Sequence, residues 1–371
     1  PGMQFVDDTP DGSISGVSED VLIAPSGVAF AGQVRSVNAT DSTNIVTIDF
    51  TNTQDISVYF NDGSAGDNDS LTVLATAGDD VVDINLSNAG DDAEPLLDIT
   101  GQLQVEDFKA ATARTRGHAD LLPLLTELDA LTIATGDGDD IVTATGGSGP
   151  IEVSISTGAS LDSITVTPSA GTIFNVDGGG NSDTLNIANT AAGTTTVSPG
   201  STSDSGSIQT PDTANTTSFA GIEFVTLTGA SATDDLALQG TLDNDTITLE
   251  LNLASVNDRA LVTFSSFDDV SLLGLDGDDT LTVAPTSLTG VTTVAVLGGL
   301  GQDSLHVLGS GGADAIGFAP TSSTAAAVTI TGAATTNITG TELLLIDGAE
   351  GNDTLTVTTP AGATTTSLTP G

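Results

Sequence analysis

A short turn rich in Gly, Asp and Asn recurs along the chain, and each copy ends in an Asp that is followed at once by an alternating strand. A turn-plus-strand unit that repeats in this way predicts a stack of similar β-coils rather than one irregular globule. The clearest copies are GDGDDIVTA at Gly136–Ala144, LDGDDTLTV at Leu275–Val283, GLGQDSLHV at Gly299–Val307 and AEGNDTLTV at Ala349–Val357. Looser copies end in Asp69, Asp80, Asp162, Asp183, Asp235, Asp245 and Asp314.

The segments beside these turns alternate between apolar residues and Thr or Ser. In Leu281-Thr282-Val283 the two apolar side chains point to one face of a strand and the Thr to the other. The terminal Asp residues of three successive copies, Asp140, Asp162 and Asp183, follow one another at a nearly constant spacing. We therefore expect an all-β fold, a parallel β-solenoid or β-helix with coils of about 20–24 residues. Stacked β-sandwich domains are the alternative.

Three regions follow from this pattern. The repeat β region covers residues 131–371, and residues 1–90 form an N-terminal β region that either begins the same stack or is a separate domain. Residues 91–130 are predicted to be a partly helical insertion, with helix candidates at Glu106–Arg116 and Asp120–Leu128. Residues 190–218 are rich in Thr, Ser, Gly and Pro, which is typical of a flexible surface excursion.

The chain is strongly acidic, with 50 Asp and Glu against 5 Lys and Arg and a formal net charge of −45. This balance argues against nucleic acid and anionic membrane surfaces as partners, because both require a basic footprint. No apolar run approaches the roughly 18 residues of a membrane-spanning helix, so we expect no membrane insertion. The acids comprise 41 Asp and 9 Glu, which favours turns and short-reach cation ligands over a purely solubilising role. Adaptation to high salt is the alternative.

The recurrent turn has the composition of a site for a hard cation. Gly permits the left-handed backbone that directs carbonyl oxygens inward, and Asp supplies charged oxygens. Ca²⁺ takes roughly six to eight oxygen ligands of these kinds. For any single copy, an ordinary tight turn in which Asp and Asn cap the strand ends is the alternative.

Two copies, GDGDDIV at Gly136–Val142 and GLGQDSL at Gly299–Leu305, match the pattern G-x-G-x-D-x-U, in which U is a large apolar residue. The chain thus resembles the repeats-in-toxin, or haemolysin-type, calcium-binding repeats, and also the Asp/Thr-rich repeats of large bacterial surface proteins. In the first family Ca²⁺ lies between successive turns of a parallel β-roll, so the resemblance implies Ca²⁺ as a cofactor. The candidate metal ligands are Asp69, Asp79, Asp80, Asp137, Asp139, Asp140, Asp183, Asp243, Asp245, Asp276, Asp278, Asp279, Asp303, Asn352 and Asp353.

Three of the five basic residues, Lys109, Arg114 and Arg116, lie within eight positions of one another. Such a concentration of positive charge in an anionic chain predicts a contact with an acidic face. We expect an assembly contact with a neighbouring copy of the chain. The alternative is a cap or crossover that pairs with the acidic body of its own chain.

The sequence lacks the residues used by enzymes that share a parallel β-helix. Polysaccharide lyases of that shape need a basic residue beside bound Ca²⁺, whereas after residue 130 the chain contains one Arg, Arg259, and one His, His306. No Ser/His/Asp arrangement, phosphate-binding loop or cofactor fingerprint occurs. The absence of Cys excludes disulfides and thiolate metal sites. We therefore expect no enzymatic activity, and a polysaccharide-active β-helix enzyme is the least favoured alternative.

These features together predict an extracellular or cell-surface structural protein, a self-assembling subunit of a filament, sheath or surface layer that calcium stabilises. Its expected partners are other copies of the chain and calcium, with glycans at Asn-x-Thr sequences such as those at Asn38 and Asn337. Cations would screen the negative charge that otherwise opposes self-association. The alternative is an adhesin stalk or a binding module of a larger cell-surface protein.

Overall fold

A computed structural model of the chain describes the backbone of residues 3–7, 19–25, 31–38, 44–51, 55–60, 69–75, 77–86, 97–99, 103–106, 128–147, 150–211, 215–231 and 233–358. Side chains are described for residues 70–75, 77–84, 86, 129–147, 150–211, 215–231 and 233–358. The described residues form 32 β-strands and one short 3₁₀ turn at Pro285–Ser287, and no α-helix occurs among them. The predicted all-β class is confirmed.

The strands in chain order are β1 (Met3–Asp7), β2 (Glu19–Pro25), β3 (Ala31–Asn38), β4 (Asn44–Thr51), β5 (Asp55–Phe60), β6 (Asp69–Leu74), β7 (Val81–Asn85), β8 (Leu97–Ile99), β9 (Leu103–Glu106), β10 (Leu128–Ala134), β11 (Ile141–Thr145), β12 (Ile151–Ser156), β13 (Ser163–Thr167), β14 (Thr172–Asp177), β15 (Thr184–Ala188), β16 (Thr194–Pro199), β17 (Gly206–Gln209), β18 (Thr216–Ala220), β19 (Phe224–Thr228), β20 (Asp235–Gln239), β21 (Thr246–Glu250), β22 (Leu253–Val256), β23 (Leu261–Ser265), β24 (Asp269–Asp276), β25 (Thr280–Val283), β26 (Thr293–Leu300), β27 (Ser304–Leu308), β28 (Ala315–Pro320), β29 (Ala325–Ile330), β30 (Thr335–Thr339), β31 (Leu343–Asp347) and β32 (Thr354–Val357).

The chain divides into two compact units, the first of which contains residues Pro1–Thr190 and Asp204–Thr226. Its strands form two sheets. Sheet A1 has the order β1-β5-β9-β8-β7-β11-β13-β15. Sheet B1 has the order β4-β3-β2-β6-β10-β12-β14-β18-β17. The central pairs of both sheets are parallel, which is the arrangement of a parallel β-solenoid.

Coil length in the first unit agrees with the sequence pattern. Val142 of β11 pairs with Ile164 of β13, which pairs with Leu185 of β15, so the register advances by the same steps as the turn-ending Asp residues. All three side chains are fully buried. Their outward neighbours are mostly Thr, Ser and Asn, so alternation along each strand separates an aliphatic core from a polar surface. Stacked β-branched and Leu side chains therefore supply the hydrophobic stabilisation of this unit.

The second unit contains residues Ala191–Ser203 and Leu227–Gly371. Sheet A2 has the order β23-β22-β21-β25-β27-β31. Sheet B2 has the order β16-β20-β24-β26-β30-β29-β28-β32. β25 and β27 are a direct parallel pair with Leu281 opposite Leu305, whereas longer coils contain antiparallel strands such as β22 and β29. Uneven spacing in the sequence thus reflects strands inserted into a parallel stack.

Several predicted features differ from the structure or fall on residues that it does not describe. The boundaries at residues 90 and 130 are not boundaries of the two units. Residues 190–218, expected to be a flexible excursion, contain β16 and β17, and Thr195 in β16 is fully buried. Of the two predicted helices, Glu106 lies in β9 and Leu128 lies in β10, and their other residues are outside the described part of the chain. The basic cluster Lys109, Arg114 and Arg116 is also outside it. Within the described part of the chain, no helix is long and apolar enough to span a bilayer.

Candidate metal centre and the aspartate ladders

Four turn-ending Asp residues of the first unit, Asp80, Asp140, Asp162 and Asp183, are buried and form a hydrogen-bond ladder. Oδ1 of Asp140 accepts the backbone N–H of Asp80 at 2.7 Å, and Oδ1 of Asp162 accepts that of Asp140 at 2.8 Å. The ladder continues from the N–H of Asp162 to Asp183 Oδ1 at 2.8 Å, and from the N–H of Asp183 to Glu223 Oε2 at 2.8 Å. The four Asp side chains are at most 5% exposed. We call this row the inner ladder of the first unit.

The second unit has an inner ladder of the same form. The backbone N–H of Asp245 donates to Asp279 Oδ1 at 2.8 Å, and the N–H of Asp279 donates to Asp303 Oδ1 at 2.9 Å. Asp303 in turn donates its N–H to Glu342 Oε2 at 2.9 Å. Because each carboxylate satisfies a buried N–H that has no partner in a sheet, the ladder fixes the register of the coils at their turns.

A small residue lies five positions before the Asp of each rung. A Cβ added to Gly274 would lie 2.2 Å from Asp279 Oδ2, and one added to Gly298 would lie 2.6 Å from Asp303 Oδ2. The same clash involves the carbonyl oxygen of the following coil, since the Gly274 Cβ would also lie 2.2 Å from the Gly298 oxygen. In three coils of the first unit this position is Ala75, Thr135 or Thr157. The rungs therefore share a small residue or Thr five positions before the Asp, and Gly274 and Gly298 have no room for a Cβ.

The residue before the terminal Asp forms a second, exposed row, the outer ladder, which runs in the opposite direction. Asp79 Oδ1 accepts the N–H of Asp139 from the following coil at 3.0 Å. In the second unit Asn244 Oδ1 accepts the N–H of Asp278 at 2.8 Å, and Asp278 Oδ1 accepts that of Gln302 at 2.9 Å. Acidic and amide side chains in these turns thus serve as acceptors for backbone N–H groups.

The inner ladder leaves one oxygen of several carboxylates without a hydrogen bond. The buried atoms concerned are Oδ2 of Asp140, Asp162, Asp183, Asp279 and Asp303. Burial raises the pKa of Asp140, Asp279 and Asp303 above the usual 3.8. Hydrogen bonds oppose the shift, chiefly from the Thr135 side chain at Asp140 and from backbone N–H groups at Asp279 and Asp303. Burial also raises the pKa of Asp183 from 3.8 to about 6. Burial therefore disfavours the charged form of these carboxylates.

Asp234 shows what complete hydrogen bonding does to a carboxylate that is equally buried. Its Oδ1 accepts the N–H of Gly193 at 3.1 Å and the hydroxyl of Ser231 at 3.0 Å, and its Oδ2 accepts the N–H of Ser231 at 3.0 Å. Burial alone would raise the pKa of Asp234, but the hydrogen bonds from Ser231 and Gly193 outweigh it and the pKa is lowered. The raised pKa values in the inner ladder follow from burial, which the hydrogen bonds there do not offset.

The geometry that best suits a metal ion lies in sheet B2 of the second unit. Asp235, Asp268 and Asp269 each place a carboxylate oxygen within 4.8 Å of the others, and all three are partly exposed. Asp235 and Asp269 are opposite each other in the parallel pair β20–β24. Hydroxyls flank the group, with Thr194 Oγ1 at 3.2 Å from Asp235 Oδ2 and Thr292 Oγ1 at 3.3 Å from Asp269 Oδ1. A hard cation would find only oxygen donors here.

The predicted ligands are distributed along the ladders instead of converging. Of the described residues, Asp235, Asp268 and Asp269 alone bring three carboxylates this close, and the prediction contained none of them. Predicted ligands in the inner ladder are Asp80, Asp140, Asp183, Asp245, Asp279 and Asp303. Those in the outer ladder are Asp79, Asp139 and Asp278.

The other predicted ligands whose side chains are described are exposed, and one of them, Asp353, forms a rung like those of the inner ladder. Asp353 accepts the N–H of Asp314 at 2.9 Å, and the backbone of Asp137 bridges to that of Ala159. Exposed positions are held by Asp243, Asp276 and Asn352, and the Asp69 side chain lies outside the described residues. Ca²⁺ ligation by the turns stays a prediction.

Sequence reasoning also missed two rungs, Glu223 and Glu342, because neither follows a Gly/Asp-rich turn. Both occur in the short pattern G-x-E before a strand, at Gly221 and Gly340, and both of these Gly residues have positive φ. The G-x-E pattern is the sequence signal that identifies these two rungs.

Comparison of the chain with known proteins finds no matching family model, no matching curated protein and no matching solved structure.

Proposed function

We propose that the protein is structural: a β-solenoid whose coils are held in register by aspartate ladders, and which self-associates into an extracellular filament, sheath or surface layer. Calcium at its acidic surface is part of the proposal. The observation that carries it is the last described coil of the second unit, formed by β31 and β32.

This coil has the sequence pattern of an inner coil, but its apolar side chains are much less buried than those of the coils before it. Leu355 of β32 is 51% exposed, whereas Ile316, its partner in β28, is 4% exposed. Leu344 of β31 is likewise half-buried, whereas its partner Leu305 in β27 is 1% exposed. Within the described residues neither strand is paired along its other edge. An open strand edge beside an uncovered apolar face is a template for a further coil.

The ladder specifies the kind of coil that would fit. Each inner rung donates its backbone N–H to a carboxylate in the following coil, as Asp303 does to Glu342. Asp314 donates in the same way to Asp353. The N–H of Asp353 occupies the donor position for one more rung. A coil of a second copy that ends in Asp or Glu supplies the carboxylate, the parallel strands and the apolar face together.

The charge of the chain supports a role for cations in this association. A net charge of −45 opposes close approach of two copies. The opposed carboxylates of Asp235 and Asp269 add local repulsion within sheet B2, because like charges directly opposite each other destabilise a strand pair. A divalent cation would reduce both the repulsion between two copies and the repulsion between Asp235 and Asp269. Sites with few protein ligands bind Ca²⁺ at about 10⁻⁴–10⁻³ M, which suits the extracellular space.

The experiment compares sedimentation of the full chain with that of two Leu→Lys variants in millimolar Ca²⁺. Leu355→Lys places a charge on the uncovered face, whereas Leu161→Lys changes a residue that is 58% exposed in a turn of the first unit. Because burying a Leu contributes about 1.5–3 kcal/mol, we expect Leu355→Lys to weaken association at least about tenfold. Leu161→Lys should polymerise like the unmodified chain, and circular dichroism should show both variants folded.

A chain that stays monomeric under all conditions would contradict the proposal. It would favour the alternative function, a stalk or binding module of a larger surface protein. Polymers that form equally with Leu355→Lys would retain self-association but place the contact elsewhere.

A further inference from the structure

A cleft of about 510 Å³ opens on the first unit, where strands of sheet B1 begin. Its walls include Asp129 from β10 and Glu152 from β12, together with Pro150, Ile151, Ile173 and Asn215. The volume falls within the range of about 300–1,000 Å³ that is usual for small-molecule sites. The metal cluster and the uncovered coil both belong to the second unit, so this cleft is a separate feature.

The charged group of the cleft is held in place by the neighbouring coil. Glu152 Oε1 accepts a hydrogen bond from Asn175 Nδ2 at 2.7 Å. This contact limits the rotamers of an otherwise exposed side chain. Asp129 lines the same cleft, and none of the lining residues that the structure describes is basic. The cleft therefore favours a positively charged ligand group.

Besides the two carboxylates and the amide of Asn215, the cleft has apolar walls. Ile173 is in register with Glu152 in the β12–β14 pair, on the outward face of the sheet, and it is 41% exposed. Most outward positions of β12, β13 and β14 carry Thr, Ser or Asn, so an exposed Ile directly beside a carboxylate departs from the local pattern. Pro150 extends the apolar surface. Ile173 and Pro150 offer an alkyl chain a packing surface that a small hydrated cation cannot use.

We propose that this cleft binds an ammonium group carried on an alkyl chain, either a free diamine or a lysine side chain. The ammonium contacts the carboxylate of Glu152, and the alkyl chain packs on Ile173 and Pro150. Long cationic side chains bind in this way because the stem and the head have different solvation preferences. The inference is independent of the proposed assembly, since the cleft and the uncovered coil share no residue.

The test is an NMR titration of the full chain with 1,5-diaminopentane at about 0.15 M salt, which screens diffuse attraction to an acidic protein. Shift changes should concentrate at the amides of Ile151, Glu152 and Ile173. Glu152→Gln should weaken binding by about fivefold, the size expected for one partly exposed ion pair. Glu250→Gln, which removes the same charge from an exposed position in the second unit, should leave the affinity unchanged.

Two further arms identify the ligand. Ile173→Thr should weaken binding of the diamine but not of ammonium chloride, since only the former has a stem to pack. Comparing the diamine with an Nα-acetyl-lysine amide separates a free diamine from a lysine side chain. Shifts spread over the acidic turns, equal effects of the two Gln variants, or no binding of either alkylammonium at about 10 mM would each overturn the proposal.

Discussion

Replacing Asp279 with Ala tests the inner ladder most directly, because this side chain accepts one buried backbone hydrogen bond. Its Oδ1 accepts the backbone N–H of Asp245 at 2.8 Å, in a buried position. Without that acceptor the N–H is left unsatisfied, which costs about 1–3 kcal/mol. Burial raises the pKa of Asp279, which shows that its charged form is unfavourable there, so removing the carboxylate offsets part of this loss of stability. We therefore expect a net loss of about 2 kcal/mol in the local stability of the turn.

Two neighbouring substitutions separate the hydrogen bond from the charge. Asp279→Asn keeps the Oδ1 acceptor and removes the negative charge of the buried carboxylate. It should therefore remain within about 1 kcal/mol of the original chain at pH 7. Asp278→Ala removes the exposed acceptor of the Gln302 N–H. Because water can replace that acceptor, this variant should lose less than about 1 kcal/mol.

Native-state hydrogen exchange of the Asp245 amide is the appropriate assay, because a chain with two units need not unfold in a single step. In Asp279→Ala this amide should exchange about 30-fold faster, which corresponds to about 2 kcal/mol. It should be nearly unchanged in Asp279→Asn and Asp278→Ala. Equal acceleration in Asp279→Asn and Asp279→Ala would refute the reasoning, since it would mean that the charge of the carboxylate, and hence a bound cation, holds the turn.

Three further predictions follow from the same geometry. Gly274→Ala places a Cβ 2.2 Å from Asp279 Oδ2 and should cost about 3 kcal/mol in urea unfolding, whereas Gly180→Ala, which meets no atom within 4 Å, should be nearly neutral. Because the folded pKa of Asp183 is about 6 against 3.8 when unfolded, its contribution of up to about 3 kcal/mol is complete below pH 3.8 and is lost as pH rises through 6. Hydrogen exchange of the Asp162 amide should show this loss, and Asp183→Asn should abolish it. Asp269→Asn should weaken Ca²⁺ binding in calorimetry about tenfold, while Asp243→Asn, in an exposed turn, should not; equal effects would place the ion elsewhere.

The strands and the coil length could be predicted because they depend on local signals. Alternation in segments such as Leu281–Val283 fixes which side chains enter the core, and the spacing of Asp140, Asp162 and Asp183 equals the register offset of the sheets. Residues 190–218 misled the prediction because Thr-rich composition suits both loops and strands. Thr195 is buried as a strand residue only because a neighbouring strand pairs with it.

The metal cluster could not be predicted because it depends on register across a long coil. Asp235 and Asp269 are farther apart in sequence than one coil of the expected length, and they meet only because the coil between them contains the inserted strands β22 and β23. The chemistry of the turns was ambiguous for a different reason. Asp is favoured equally as a cation ligand and as an acceptor for backbone N–H groups. Only the distances across successive coils show that Asp140 and Asp279 act as acceptors.

Electron microscopy of the purified chain, first in millimolar Ca²⁺ and then in chelator, tests the proposed function most directly. We expect ordered filaments or sheets in Ca²⁺ that disperse on chelation, while the β-signal in circular dichroism persists because the aspartate ladders need no ion. Folded monomers under both conditions would contradict the structural role, and loss of the β-signal on chelation would contradict the assignment of the ladders as hydrogen-bonded supports.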